Sequence, residues 1–249
     1  MKLLRLEFYK CRRRKIVLIC AAVLAIELIW MEAFFARQDA GDLKWSWMLL
    51  LYNLAMVDCI VLPLSVATLA SRNCEPEHKG NTWKLLETMA SPGKLYAAKL
   101  GWGALVLAVL LTIRSGLFLA AGIAQGFPGT IPWGRFGLFT LISWTVSMMI
   151  YALQQGLSLR FANQAAALVC GIAGSFLGIL SMLFPPALTR FVPWGYYGLL
   201  SLAGMDWNAA TRVTRFYWQW PQPADLILLL IWASVFLLAG RTLFVRKEV

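Results

Sequence analysis

Residues 10–35 read KCRRRKIVLICAAVLAIELIWMEAFF. A basic block closing on Lys15 meets an apolar run, Ile16–Phe35, whose only charged residues are Glu27 and Glu32. At 1.5 Å of rise per residue, about 20 apolar residues in a helix cross the hydrocarbon core of a bilayer. The run has that length, so it reads as a membrane span. A secretory leader has a similar charge order. This run is long for one, carries two acids and lacks a small-x-small cleavage site, so an uncleaved anchor is the expectation.

Working outward, the pattern recurs at 47–70, 95–124, 135–159, 165–184 and 224–244. Turn and breaker residues separate the runs: Gly126, Pro128 and Gly129 after the third, Asn163-Gln164 after the fourth, Pro185-Pro186 after the fifth. Of 249 residues, 60% are hydrophobic and 14% charged. Soluble domains hold about 45–50% apolar and about 25% charged residues, so this chain lacks the polar surface to cover a globule. The composition excludes an ordinary soluble enzyme, a disordered tail and a disulfide scaffold. The expected fold is an all-α integral membrane protein with six transmembrane helices in one domain, 1–249.

The net charge is +11. The basic residues sit at the ends of apolar runs, which is the pattern of membrane orientation and not of nucleic-acid binding. Arg72, Lys79, Lys84, Lys94, Arg160, Arg246 and Lys247 share a side with the N-terminal block. Arg37, Lys44, Arg135, Arg190, Arg212 and Arg215 face the other side. The excess places both termini in the cytoplasm. Trp30, Trp45, Trp47, Trp133, Trp194, Trp207, Trp218 and Trp220 fall at the expected outer boundary, where indole rings sit half wet. Residues 187–223 are aromatic and broken by Pro193, Gly195 and Gly198, so short re-entrant or interfacial helices are expected there.

Reaction chemistry is sparse. Gly93-Lys94 lacks the upstream glycine and the hydroxyl residue of a phosphate-binding loop, so the chain is not expected to bind ATP itself. His78 is the single histidine, and the five cysteines lack metal-ligand spacing. No catalytic residue, metal or cofactor is assigned to this chain.

The longest polar interruption is 71–99, on the cytoplasmic side. Within it Asn81 or Thr82 can cap a short helix over 82–91, and Ser91-Pro92-Gly93 stops it. Trp83, Leu86 and Ala90 share one face, with Lys84, Glu87 and Thr88 opposite. Two turns are marginal alone in water, so the helix must pack on something. Taken by themselves, the residues fit an interfacial helix or a knob offered to a cytoplasmic partner.

Six spans in this length resemble the permease subunit of a bacterial ABC exporter. The loop resembles that of the lantibiotic-immunity permeases of the mutacin, epidermin and nisin type. Its acids are Glu75 and Glu77, followed by Gly80-Asn81-Thr82-Trp83-Lys84-Leu85-Leu86 and then Tyr96-Ala97-Ala98-Lys99. Pro92 stands later than the family's usual proline. The resemblance implies that the short helix couples to an ATPase subunit, with Glu75, Glu77, Trp83, Lys84, Leu86 and Glu87 as contact candidates. It further implies two copies of a separate ATPase holding ATP and Mg, a second permease identical or homologous to this one, and an antimicrobial-peptide substrate.

Ionisable groups within spans are costly and are candidates for function. Glu27 and Asp58 each lie 11 residues from a span end, which is about 16–17 Å deep. Arg114 lies nearer the outside, level with Glu32. The readings are a structural pair of Glu32 with Arg114, or an acidic substrate path lined by Glu27, Glu32, Asp58 and Arg114. In the fifth span Gly171, Gly174 and Gly178 lie on a small-residue face. That face suits packing within the chain or a subunit seam, and the resemblance favours the seam. The expected function is export of antimicrobial peptides across a bacterial plasma membrane. Transport of another drug, lipid or ion, or a scaffold role without transport, are the alternatives.

Overall fold

The computed structural model describes residues 2–11, 15–38, 43–80, 82–208 and 213–245. An amphipathic helix α1 (Lys2–Cys11) leads into α2 (Ile16–Phe35). Lys15, at the start of α2, has φ of 53°, in the left-handed region where non-glycine residues are uncommon. Then come α3 (Ser46–Gly80), the short α4 (Trp83–Met89), α5 (Pro92–Ala124), α6 (Trp133–Arg160) and α7 (Gln164–Ser181). The chain continues through α8 (Pro186–Thr189), a 3-10 turn (Pro193–Gly195) and α9 (Tyr196–Leu199). An antiparallel hairpin of β1 (Ala203–Asn208) and β2 (Val213–Trp218) precedes α10 (Pro223–Val245). Six helices, α2, α3, α5, α6, α7 and α10, are long and apolar enough to cross a membrane.

Local signals explain several boundaries. Pro92 stands in the first turn of α5, where its missing N–H costs nothing. The Asn163 side chain accepts the Ala165 N–H at 3.0 Å and caps α7. Positive φ at Gly126 and Gly129 turns the chain between α5 and α6.

The interior is built around α3 and α6. Leu50, Leu51, Leu62, Val66, Met149 and Ile150 are buried there with Leu107, Leu111 and Phe118 of α5. Small residues set the close crossings. A Cβ added to Gly156 of α6 would lie 2.9 Å from Gly240 Cα of α10, so two backbones touch where neither has a side chain. Gly171 of α7 makes room for the Ala67 methyl of α3.

The structure adds to three expectations. The second spanning helix does not end at 70 but runs on to Gly80 through Pro76. Its polar residues Asn73 and Glu77 find buried partners, so they do not terminate it. Of the eight tryptophans assigned to the outer boundary, two pack against the protein itself. Trp47 is buried in edge-on contact with Phe127 and Phe136, and Trp194 fills the notch of small residues on α7. The segment between α7 and α10 holds short helices, as expected, and a β-hairpin besides, which was not. Tyr196, Tyr197, Leu200, Leu202 and Ala203 are buried, and Tyr197 pairs with Ser147 of α6 at 2.9 Å. Cation–π contacts of Arg135 with Trp218 (4.3 Å) and Trp220 (4.9 Å) fix the hairpin's exit to the start of α6.

Candidate functional site

Where α3 passes its expected end, α1, α3 and α5 meet in a closed charge cluster. Lys99 of α5 donates to Glu7 of α1 and to Glu77 of α3, each at 2.9 Å, and to the Asn73 carbonyl at 2.8 Å. Lys10 reaches the same two acids at 3.0 and 2.7 Å. Asn73 in turn donates to the Tyr151 hydroxyl at 2.9 Å. Two cations thus face two carboxylates, with all three ammonium donors of Lys99 used. That satisfaction is the condition under which buried ions persist.

The short α4 sits beside this cluster. Trp83 and Leu86 point inward and are buried with Cys74, Leu95, Tyr96, Leu159 and Phe244. The Trp83 ring meets His78 at 5.4 Å and Phe244 of α10 at 5.3 Å, both edge-on. His78 Nε2 donates to the Ser158 carbonyl at 2.9 Å, which ties the end of α3 to α6. The other side of α4 is open: Leu85 is 62% exposed and Met89 68%. Their i, i+4 spacing puts them on one stripe.

Among the residues implied by resemblance as contacts, Trp83 and Leu86 face this chain's own interior, and Glu77 is buried on Lys99 and Lys10. Glu75 lies between Arg72 (3.3 Å) and Lys79 (2.6 Å) at the surface. Glu87 is half-buried. Lys84 belongs to α4, but its side chain lies outside what is described, as does Asn81 altogether. Sequence reasoning missed Glu7, Lys10 and Asn73 as members of the cluster. The signal for the first two was present, because Leu3, Leu6, Glu7 and Lys10 recur at helical spacing.

Midway along the bundle a second charge group joins α2, α3 and α5. Arg114 Nε donates to Glu27 at 2.5 Å, and its two terminal nitrogens donate to the Asp58 carboxylate. Ser143 of α6 adds a 3.2 Å hydrogen bond to Asp58. Phe118 and Phe139 flank the guanidinium. Arg114 is 1% exposed, Glu27 2% and Asp58 0%. The expected pair of Arg114 with Glu32 is therefore corrected: Arg114 takes Glu27 and Asp58. Glu32 stands apart and exposed, on a cavity of about 270 Å³ that Gln125 and Phe127 also line. Glu27 and Asp58 thus share one guanidinium in close packing, two carboxylates to one cation.

Gly171, Gly174 and Gly178 are likewise used within the chain. Side chains added there would meet Ala67, the Trp194 ring and the Cys59 carbonyl, so this face is occupied and is no free seam. At the hairpin end Arg190 donates to Asp225 at 2.6 Å and to Gln222 at 2.9 Å. Its hydrogen bond to Asp225, and then the carboxylate charge, hold the arginine above its ordinary pKa. Tyr196 donates to the Arg190 carbonyl at 3.0 Å; burial, and then the Asp225 charge, push its pKa up to about 12. Among the described residues no group of histidine, cysteine and acidic side chains could hold a metal ion.

The arrangement is one of charge clasps between helices, with an outward helix at one end. No curated protein matches the chain. The model of the ABC-2 family of transporter proteins matches residues 3–181, which run from α1 through α7 and so contain both charge groups and α4. The chain belongs to the ABC-2 transporter family.

Proposed function

We propose that this chain is the permease subunit of an ATP-driven exporter that expels antimicrobial peptides of the lantibiotic class from a bacterial plasma membrane. Family membership implies an ABC ATPase partner in general. Two copies of that ATPase, carrying ATP and Mg, sit beneath this chain and a second permease, identical or homologous. The N-terminal end faces the cytoplasm.

The observation that carries the reading is the seating of α4. Trp83 and Leu86 bolt it to Phe244 and Leu159, while Leu85 and Met89 face outward. A helix of seven residues does not hold its shape alone. Anchored in this way, it passes a push on Leu85 and Met89 into α3, α5, α6 and α10 together. Leu85, Met89, Glu75 and Glu87 are the contacts. Trp83, Leu86 and Glu77 are positioning residues behind them.

The test is co-purification with the cognate ATPase. Leu85→Asp/Met89→Asp is expected to lose the ATPase and leave the thermal midpoint of the permease unchanged. Full retention of the ATPase by that variant counts against the coupling role. Substrate is tested separately: cells lacking the gene are expected to be more sensitive to lantibiotics. Unchanged killing would point to another drug, lipid or ion as cargo.

A further inference from the structure

Between the first turns of α5 and the last turns of α10 lies an open cleft of about 540 Å³. Lys94 and Arg241 rim it, and Ala97, Leu100, Leu237 and Leu238 form its walls. Tyr96 fixes the floor, where its hydroxyl donates to the Leu237 carbonyl at 3.4 Å. The Arg241 guanidinium lies against Gly93, within ordinary contact distance of where a Cβ would stand.

The two rim cations differ from others at this end of the molecule. Lys10 and Lys99 are paired with Glu7 and Glu77, and Arg72 and Lys79 with Glu75. Among the described residues neither Lys94 nor Arg241 has a carboxylate within ion-pair distance, and no acid lines the cleft. The rim also lies at the N-terminal end of α5, where the helix dipole favours an anion. Below the rim both walls belong to spanning helices, so the cleft continues as apolar surface along the membrane.

We propose that this cleft binds an anionic phospholipid of the leaflet at the N-terminal end. The phosphate sits between Lys94 and Arg241, and an acyl chain lies along Leu100 and Leu238. A zwitterionic lipid gains less, because among the described residues the cleft offers no carboxylate to its ammonium group. A soluble anion leaves the apolar walls unfilled. Basic pockets between spanning helices hold anionic headgroups by the same physics, each cation near the surface contributing on the order of a fivefold gain in affinity.

The purified full-length chain in detergent is titrated with phosphatidylglycerol or phosphatidylcholine, and bound lipid is counted by native mass spectrometry. Wild-type protein is expected to prefer phosphatidylglycerol. Lys94→Gln and Arg241→Gln are each expected to weaken it about fivefold, and the pair about thirtyfold, with phosphatidylcholine unchanged. Both side chains are exposed, so the fold is expected to survive, and the thermal midpoint checks it. Arg72→Gln/Lys79→Gln, which removes equal charge outside the cleft, is expected to change nothing. An equal loss in that control, or an undiminished preference in Lys94→Gln/Arg241→Gln, overturns the proposal. So does displacement of phosphatidylglycerol by millimolar inorganic phosphate, which would make the occupant a free anion.

Discussion

Arg114 is held by Glu27 and Asp58 among apolar side chains, where an unpaired charge is hard to keep. Arg114→Met strands both carboxylates, and a destabilisation of about 3–5 kcal/mol is expected. Thermal unfolding in detergent measures it, and a wild-type midpoint would contradict the structural role. Glu27→Gln/Asp58→Asn/Arg114→Met removes all three charges and is expected to recover most of the loss, because a neutral core of similar volume has no ions to desolvate. The sequence showed that Glu27 and Asp58 lie at one depth but matched Arg114 to the wrong acid. Counting residues gives Cα height along a straight helix. It does not include the reach of an arginine side chain, or the tilt that the 33 residues of α5 permit.

At the scale of elements, α4 and α7 show what periodicity can and cannot reveal. The spacing of Trp83 and Leu86 marked one face of α4 correctly, yet an amphipathic pattern does not say whether that face meets lipid, a partner or its own chain. Phe244, which lies 161 positions away from Trp83 in sequence, decides it. Trp83→Ala is expected to cost about 3–5 kcal/mol through the cavity it leaves. Leu85→Ala, on the open side, is expected to stay within about 0.5 kcal/mol. Equal midpoints for the two variants would contradict the seating of α4. On α7 the glycine stripe was plain in sequence, but its partners were not. Gly171→Val is expected to destabilise by about 1–3 kcal/mol through collision with Ala67, read as a lowered midpoint. Gly116→Ala meets nothing within 4 Å and is expected to be neutral or mildly stabilising. The hairpin escaped notice although Val213–Trp218 is rich in β-branched and aromatic residues, because its tryptophans fit a membrane boundary equally well.

Across the whole molecule, length and hydropathy were enough for six spans, since a bilayer leaves few ways to satisfy backbone polar groups. The way those spans are tied together was hidden, because it depends on polar pairs between distant segments. Lys99 with Glu7 closes the N-terminal helix onto the bundle, and Arg135 with Trp218 holds the hairpin at the opposite end. The N-terminal helix, α4 and the end of α10 therefore share one end, where Lys94 and Arg241, without a carboxylate partner among the described residues, also lie. The account requires that end to face the cytoplasm, where an ATPase can reach Leu85 and Met89. A membrane-impermeant thiol reagent applied to a cysteine-free variant carrying Met89→Cys tests this directly. Labelling in inverted vesicles but not in intact cells is the predicted result, and labelling of intact cells would contradict it.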